Sequence, residues 1–248
     1  MVITITTDFG DQFAASQLRA VIANLGFDGQ AIENHSVTPF AILEGAFEIK
    51  EVARFSPESS VHLGVIDPGV GSERWGIVIK TKRSWLVGPN NGLLYPAAKE
   101  EGIEKVWKIN EDFFGKNISN TFHGRDVFIK AVVFLAQGKL PEEFGYSVID
   151  ETLEQLNFQD GQVLHIDAYG NYKIYWPYKL EIGKYLSIQT KDDQIIKLPI
   201  VKTFDDVSPN TPLALFGSSN TLEIATNLSN AEKYFKFKLG DVLKIDLE

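Results

Sequence analysis

The strongest constraint in this chain is an alternation of two periodicities through its first half. Val2–Thr6 is a short β-branched run, suited to a buried strand. Gln17–Leu25 then places Leu18, Val21, Ile22 and Leu25 at helical spacing, with Gly26 positioned as a C-cap. The same exchange follows with a strand at Ala31–Val37, a helix at Ile42–Phe55 stopped by Ser56-Pro57, and a strand at Val61–Ile66. Strands at Gly76–Lys80 and Ser84–Val87 flank a Lys-Arg turn, and Val127–Gln137 is apolar enough for a buried helix ending at Gly138. Strand–helix alternation predicts an α/β domain: a mainly parallel sheet with flanking helices. In such sheets ligands bind beyond the carboxyl ends of the strands. Asp8 and Asp67 each stand just past one.

After residue 150 the pattern changes. Val163–Ile166, Lys173–Trp176, Tyr185–Thr190, Gln194–Val201, Leu213–Phe216, Leu222–Ala225 and Val242–Ile245 read as short strands, parted by Gly, Asn, Asp and Pro turns. Only Ala231–Phe237 carries a weak helical period. The expected organisation is an N-terminal α/β domain over 1–150 and a small all-β, barrel-like domain over 151–248, with the boundary within Tyr146–Leu156.

Bulk chemistry removes several function classes. The net charge is -9 and no dense Lys/Arg cluster exists, so a long polyanion or an anionic membrane surface is a poor partner. There are no cysteines, which excludes disulfides, thiolate nucleophiles and cysteine-bound zinc and fits a cytoplasmic setting. With 4 histidines, a transition-metal site would need unusual ligands, so no metal is expected. The N-terminus lacks a signal-peptide pattern, and no apolar run is long enough to span a bilayer. GxGxxG, P-loop, HExxH and GxSxG motifs are absent.

The polar segments that remain each admit two readings. In Thr6-Thr7-Asp8-Phe9-Gly10-Asp11, Asp8 can accept hydrogen bonds from a ribose diol, or Asp8 or Asp11 can cap the next helix. In Ile66-Asp67-Pro68-Gly69-Val70-Gly71-Ser72-Glu73-Arg74, Pro-Gly supports a type II turn that doubles the chain back and sets Arg74 beside Asp67. Such a pair keeps the carboxylate ionised, or it is an ordinary surface ion pair. Thr121-Phe122-His123-Gly124-Arg125-Asp126 presents a histidine at a helix entry, either in a cleft or within a capping turn. Gly88-Pro89-Asn90-Asn91-Gly92 reads as a structural turn. Asp167-Ala168-Tyr169-Gly170-Asn171 suits a flat polar ligand or a plain hairpin. Phe216-Gly217-Ser218-Ser219-Asn220-Thr221-Leu222-Glu223 suits an amino-acid head group or a loop.

Together, TTDFGD, VHLGVIDPGVGSER, VGPNNGLL, TFHGRD, DAYGN and GSSNTLEIA resemble, in order and spacing, the S-adenosyl-L-methionine (SAM) hydroxide adenosyltransferases. These adenosine-forming hydrolases are relatives of the fluorinases and chlorinases. The resemblance spans nearly the whole chain, and IDPGVGSER with TFHGRD is its most specific part. It implies hydrolysis of SAM to adenosine and L-methionine without a cofactor, by water attacking the ribose 5′ carbon. It puts the family's Asp-Arg-His set on Asp67, Arg74 and His123, and the ribose-binding carboxylate on Asp8. Asp167 falls on the methionine part, and Asn171 on adenine. Tyr169 stands where Phe is usual, preserving stacking, and Phe204 matches an aromatic that packs on adenine. Ser218, with Glu223 as a weaker candidate, falls at the methionine end. The resemblance also implies a homotrimer with each site shared between subunits. The chain departs from the pattern at Ile32, at Asn34-His35 and at Ser219-Asn220-Thr221. A halogenase, which lacks the Asp-Arg-His set, and a non-catalytic adenosine- or SAM-binding module are the rival readings.

Overall fold

The β-branched N-terminal run forms β1 (Val2–Thr7), and its neighbours set the frame of the first half. In this computed structural model, which describes residues 1–10, 13–148, 152–189 and 194–248, the chain divides into two compact units, Met1–Asn157 and Phe158–Glu248. Asp11, Thr190 and the expected boundary at residues 150 and 151 lie outside the described residues.

In the first unit β1 is flanked by β2 (Gln30–Asn34) and β3 (Val61–Val65). Beyond β3 come β5 (Trp85–Pro89), β4 (Gly76–Thr81), β6 (Ile103–Ile109) and β7 (Gly145–Val148), completing a seven-stranded sheet. The β1–β2, β1–β3 and β3–β5 pairings are parallel; β4–β5, β4–β6 and β6–β7 are antiparallel. The sheet is therefore mixed, which corrects the expectation of a mainly parallel one. The cause is local: only Lys82-Arg83-Ser84 separates β4 from β5, and a parallel return needs a crossover of a dozen or more residues.

Helices α1 (Phe13–Asn24), α2 (Ile42–Phe55), α3 (Tyr95–Glu101) and α4 (Ile129–Ala136) belong to this unit. Gly26 ends α1 with a positive φ of 71°, as its position predicts. A π-helical turn, Gly124–Phe128, precedes α4 directly, and such turns are frequent at functional sites. The core packs Ile3, Ile5, Leu18, Leu63, Val87, Phe128 and Val132.

The second unit holds β8 (Val163–Ile166), β9 (Tyr172–Ile174), β10 (Tyr185–Gln189), β11 (Ile195–Pro199), β12 (Pro212–Phe216), β13 (Leu222–Thr226) and β14 (Ile245–Leu247). They form a three-stranded sheet, β11-β10-β14, and a four-stranded one, β12-β13-β9-β8. Isolated bridges, Ile200–Ala214 and Gln162–Val242, connect the edges of the two sheets. Helix α5 (Ala231–Phe235) packs Ala231 and Phe235 into a core with Tyr172, Ile174 and Ile224. Among the described residues, no helix is long and apolar enough to cross a membrane.

Candidate active site

Every residue of β3 is buried, so its end is a fixed platform. Asn91 secures it by donating Nδ2–H to the Ile66 carbonyl at 2.9 Å. The next residue, Asp67, opens a turn closed by Val70 N–H to its carbonyl, 3.2 Å. Gly69 does not take a positive φ, so the expected type II turn is not at Pro68-Gly69. It comes two residues later, in Gly69–Ser72, where Gly71 at the third position has φ 77° and Ser72 N–H reaches Gly69 O at 3.1 Å.

This double turn returns Arg74 to Asp67. Arg74 Nε donates to both carboxylate oxygens at 3.0 Å, and Nη2 donates to Oδ2 at 2.5 Å. The side chains are only 10% and 5% exposed, so this is not a surface ion pair. Arg74 Nη2 also donates to His123 Nδ1 at 3.1 Å. A guanidinium has no lone pair to offer, so Nδ1 is the acceptor and the imidazole is neutral with its hydrogen on Nε2. The guanidinium lies 5.2 Å from the centre of the Phe128 ring, and its Nη1 is buried without a hydrogen-bond partner. An unsatisfied buried donor is costly, and the nearest acceptor described for it is the Glu111 carboxylate, at 3.8 Å.

Asp67 and His123 share a cavity of about 280 Å³ with Asp8, Phe9, Phe40 and Phe122. Phe9 and Phe122 meet edge to face at 5.4 Å. Asp8 accepts the Phe40 N–H at 2.9 Å through Oδ2. It thus holds a neighbouring loop rather than capping α1. Behind it, Thr7 Oγ1 contacts His35 Nδ1 at 2.8 Å, and His35 Nε2 contacts Glu33 at 2.9 Å. Asn90 is structural: its side chain binds the main chain of Thr152 and Glu154. Arg125 and Asp126 are spent on each other at 2.7 and 2.8 Å, and Asp126 also accepts Ser119 N–H. Burial alone would raise the Asp126 carboxyl, but these donors hold it below the usual carboxylate range.

Glu111, in a 3-10 turn at Glu111–Phe114, was not among the sequence candidates. Its Oε1 stands 3.8 Å from Arg74 Nη1 and 3.5 Å from His123 Nδ1. Nothing in Asn110-Glu111-Asp112 distinguishes it from a solvent-facing acidic turn.

The second unit carries an open cleft of about 880 Å³ lined by Tyr169, Asn171, Phe204 and the turn Thr226–Asn230. Tyr169 is 77% exposed and Phe204 40%, whereas Asn171 is buried. Asp167 organises the hairpin between β8 and β9: Oδ1 accepts the N–H groups of Tyr169 and Asn171 at 3.0 and 2.9 Å, and Oδ2 accepts Asn171 Nδ2 at 3.2 Å. Its carboxylate thus sets the loop that presents Tyr169 and Asn171. Glu223 is buried and pairs with Lys173 at 3.1 Å, while Lys173 Nζ lies 3.9 Å from Asp167. Lys173 is a second residue the sequence reading missed, hidden inside a predicted strand. Ser218 is exposed in the turn before Glu223; neither residue lines the cleft.

Residues 3–145 match the model of the SAM hydroxide adenosyltransferase N-terminal domain, and residues 161–244 that of its C-terminal domain. An (R)-S-adenosyl-L-methionine hydrolase of Methanocaldococcus jannaschii is 34% identical, over 98% of this chain and 95% of the relative. One from Salinispora tropica is 32% identical over 98% and 97%. A fluorinase from Actinoplanes is more distant, 23% identical over 84% of each chain. The crystal structure of a conserved protein from Thermotoga maritima superposes with a TM-score of 0.91 at 30% identity, covering 99% of this chain and 100% of that one. Matched by both domain models, and by relatives above 30% identity along nearly its whole length, the chain belongs to the SAM hydroxide adenosyltransferase family.

Proposed function

We propose that this protein hydrolyses S-adenosyl-L-methionine to adenosine and L-methionine, with water attacking the ribose 5′ carbon. The observation that carries the reading is Arg74, gripped by Asp67 and in contact with His123, with Asp67 and His123 both lining the cavity. The sulfonium leaves as a neutral thioether and needs no acid. The demand falls on the nucleophile, which must be oriented, desolvated and made hydroxide-like. His123, which lines the cavity, offers its Nε2–H to the oxygen as it gains negative charge, and Arg74 holds the ring by its Nδ1 edge and adds its positive charge behind it. Asp67 positions Arg74. Asp8 binds the ribose hydroxyls.

Tyr169 and Phe204 provide faces for the adenine, with Asn171 at its edge. Asp167, Glu223 and Ser218 serve the methionine end. The exposure of Tyr169 and Phe204, and of Phe40 at the rim of the other cavity, supports a homotrimer in which the first unit of one subunit and the second unit of a neighbour complete each site. The scheme uses no cofactor or metal, and full activity is expected in excess chelator. A cysteine-free chain suits the cytoplasm.

The test is incubation with each sulfonium epimer of SAM, with chromatography for adenosine and methionine. Arg74→Ala and His123→Ala are expected to abolish measurable release; wild-type rates in both would remove their roles. A 5′-halo-adenosine formed in the presence of chloride or fluoride would replace hydrolysis with halogenation, and tight binding without turnover would leave a binding module.

A further inference from the structure

A chain of side chains ties the end of β1 to the residue that follows β2. Thr7 Oγ1 meets His35 Nδ1 at 2.8 Å, His35 Nε2 meets Glu33 Oε2 at 2.9 Å, and Arg19 Nε donates to that same oxygen at 2.7 Å. Thr7 and His35 are buried, and the chain reaches solvent at Arg19. Thr7 Oγ1 also accepts the Phe9 N–H at 3.2 Å, which bends the main chain around Asp8 in a threonine-closed turn. Resting on the reading above that Asp8 binds the ribose hydroxyls, we infer that His35 is a positioning residue for Asp8, acting through the Thr7 hydroxyl.

The hydrogens fix the direction of the chain. The Thr7 hydroxyl has one hydrogen to give, and the acceptor described for it is His35 Nδ1. The ring then carries its own hydrogen on Nε2 and donates it to Glu33. Glu33 thus selects the tautomer, and Arg19 holds Glu33. A β-branched threonine has few side-chain rotamers, and the one that gives its hydrogen to His35 also offers a lone pair to the Phe9 N–H.

The residues set by this turn are those that face the substrate. Asp8 and Phe9 both line the cavity with Asp67 and His123. Phe9 packs on Phe122, and a β-carbon at Gly124, beside His123, would meet its ring at 3.3 Å. On its other side Asp8 is held by the Phe40 N–H at Oδ2. The loop is also tied by its main chain, with Gly10 N–H donating to the His35 carbonyl at 2.9 Å, and that tether survives any replacement of the imidazole. What the imidazole adds is the setting of Thr7. Without Nδ1 the hydroxyl turns to another acceptor, the Phe9 N–H loses its own, and Asp8 no longer meets the ribose diol in one fixed geometry.

The experiment measures Kd for adenosine and for 2′-deoxyadenosine by calorimetry, with KM and kcat for SAM and thermal unfolding, in the full-length wild type, His35→Asn, His35→Gln and Thr7→Val. Asparagine puts an amide where Nδ1 stands and keeps Thr7 held. Glutamine puts it where Nε2 stands, which keeps Glu33 and releases Thr7. Wild type is expected to bind adenosine about tenfold or more tightly than 2′-deoxyadenosine, the scale of one hydrogen bond to a charged group. His35→Gln and Thr7→Val are expected to bring the two nucleosides within about twofold of each other and to raise KM for SAM about tenfold, with kcat within about threefold of wild type. His35→Asn is expected to restore the preference for adenosine. Because the ratio compares two ligands on one protein, a loss of folded protein does not move it. A wild-type ratio in both His35→Gln and Thr7→Val would overturn the inference, whatever their melting temperatures. So would a ratio lost in His35→Asn but kept in Thr7→Val, which would put the effect in the fold around Glu33. A wild type that bound both nucleosides alike would remove the ribose role of Asp8 and the inference with it. A wild type that kept the preference but released no adenosine from SAM would instead overturn the hydrolase reading.

Discussion

The Cα of Gly71 lies against the main-chain carbonyl of Asn120, so closely that a β-carbon there would sit 2.3 Å from the oxygen. Through this contact the turn carrying Asp67 and Arg74 meets the turn that leads to His123. Gly71→Ala adds a left-handed penalty of roughly 1–2 kcal/mol at φ 77° to an overlap with backbone that cannot rotate away. The two turns must part, and the Arg74–His123 hydrogen bond must lengthen. A displacement on the order of 1 Å predicts a loss of about 10²-fold in kcat. Gly69→Ala is the control: a β-carbon there meets nothing closer than Ser72 Oγ at 3.4 Å, an ordinary contact, so near-normal adenosine release is expected.

The fork between Arg74 and Asp67 makes a second, separable prediction. Lysine in place of Arg74 keeps the charge but offers one compact ammonium, which cannot satisfy both Asp67 oxygens and also reach His123. Arg74→Lys is therefore expected to lose about 10²-fold or more in kcat, the scale of a missing oxyanion donor. Asp67→Asn leaves a nearly buried guanidinium without counter-charge. Its cost is expected on the order of 3 kcal/mol of folding stability, read as a lowered midpoint in denaturant. An unchanged midpoint would mean that the pair is screened by solvent.

The parts of this molecule legible in its sequence are those decided by near neighbours. The β-branched run at Val2, the periodic apolar face ending at Gly26 and the short path from Asp67 to Arg74 all declare themselves locally. What escaped depends on distant partners. Gly71 reads as one more turn glycine until Asn120 is seen against it. β6 carries Glu104, Lys105 and Lys108 along its length because part of it faces solvent, and this blurs the strand pattern that would have announced an antiparallel half. Glu111 and Lys173 acquire meaning only through Arg74, His123, Asp167 and Glu223, which folding brings to them. The motif residues were legible as candidates on either side of the expected boundary; that Arg74 lies behind the cavity, and Ser218 and Glu223 outside the cleft, was not.

His62 gives the fold a pH dependence of known sign. It is buried in β3, accepts or donates to Thr4 Oγ1 at 2.7 Å through Nδ1, and leaves Nε2 without a partner. Burial pushes its pKa down to about 4, with Glu101 opposing and Arg83 adding to the shift. The unfolded chain takes up a proton as the pH falls below 6.5, while the folded chain resists until about 4. Stability is therefore full above 6.5 and lost as the pH falls through that window, by on the order of 3 kcal/mol in total. His62→Gln, which retains a polar partner for Thr4 and does not titrate, is expected to flatten this part of the acid limb. Denaturant midpoints of wild type and variant between pH 7 and pH 4 check it; parallel curves would show that His62 is protonated in the folded state.

The aromatic cleft of the second unit can be tested without disturbing the fold. Tyr169 is 77% exposed, and the hydrogen bond it gives to Asp167 comes from its main chain, so it survives replacement of the ring. Phe204 is also exposed, on a turn secured by Asp206 accepting the N–H groups of Lys202 and Thr203. Tyr169→Ala and Phe204→Ala should therefore melt at the wild-type temperature. If the two rings hold the adenine, each loses a stacking contact of about 1–3 kcal/mol, which raises KM for SAM or Kd for adenosine by roughly 5- to 150-fold. Tyr169→Phe keeps the face and loses only the hydroxyl, so its KM should stay close to wild type. A rise in KM for alanine but not phenylalanine at position 169 would tie the effect to the ring. Unchanged KM in both alanine variants would take the adenine out of this cleft and leave Tyr169 and Phe204 to contacts with a neighbouring subunit.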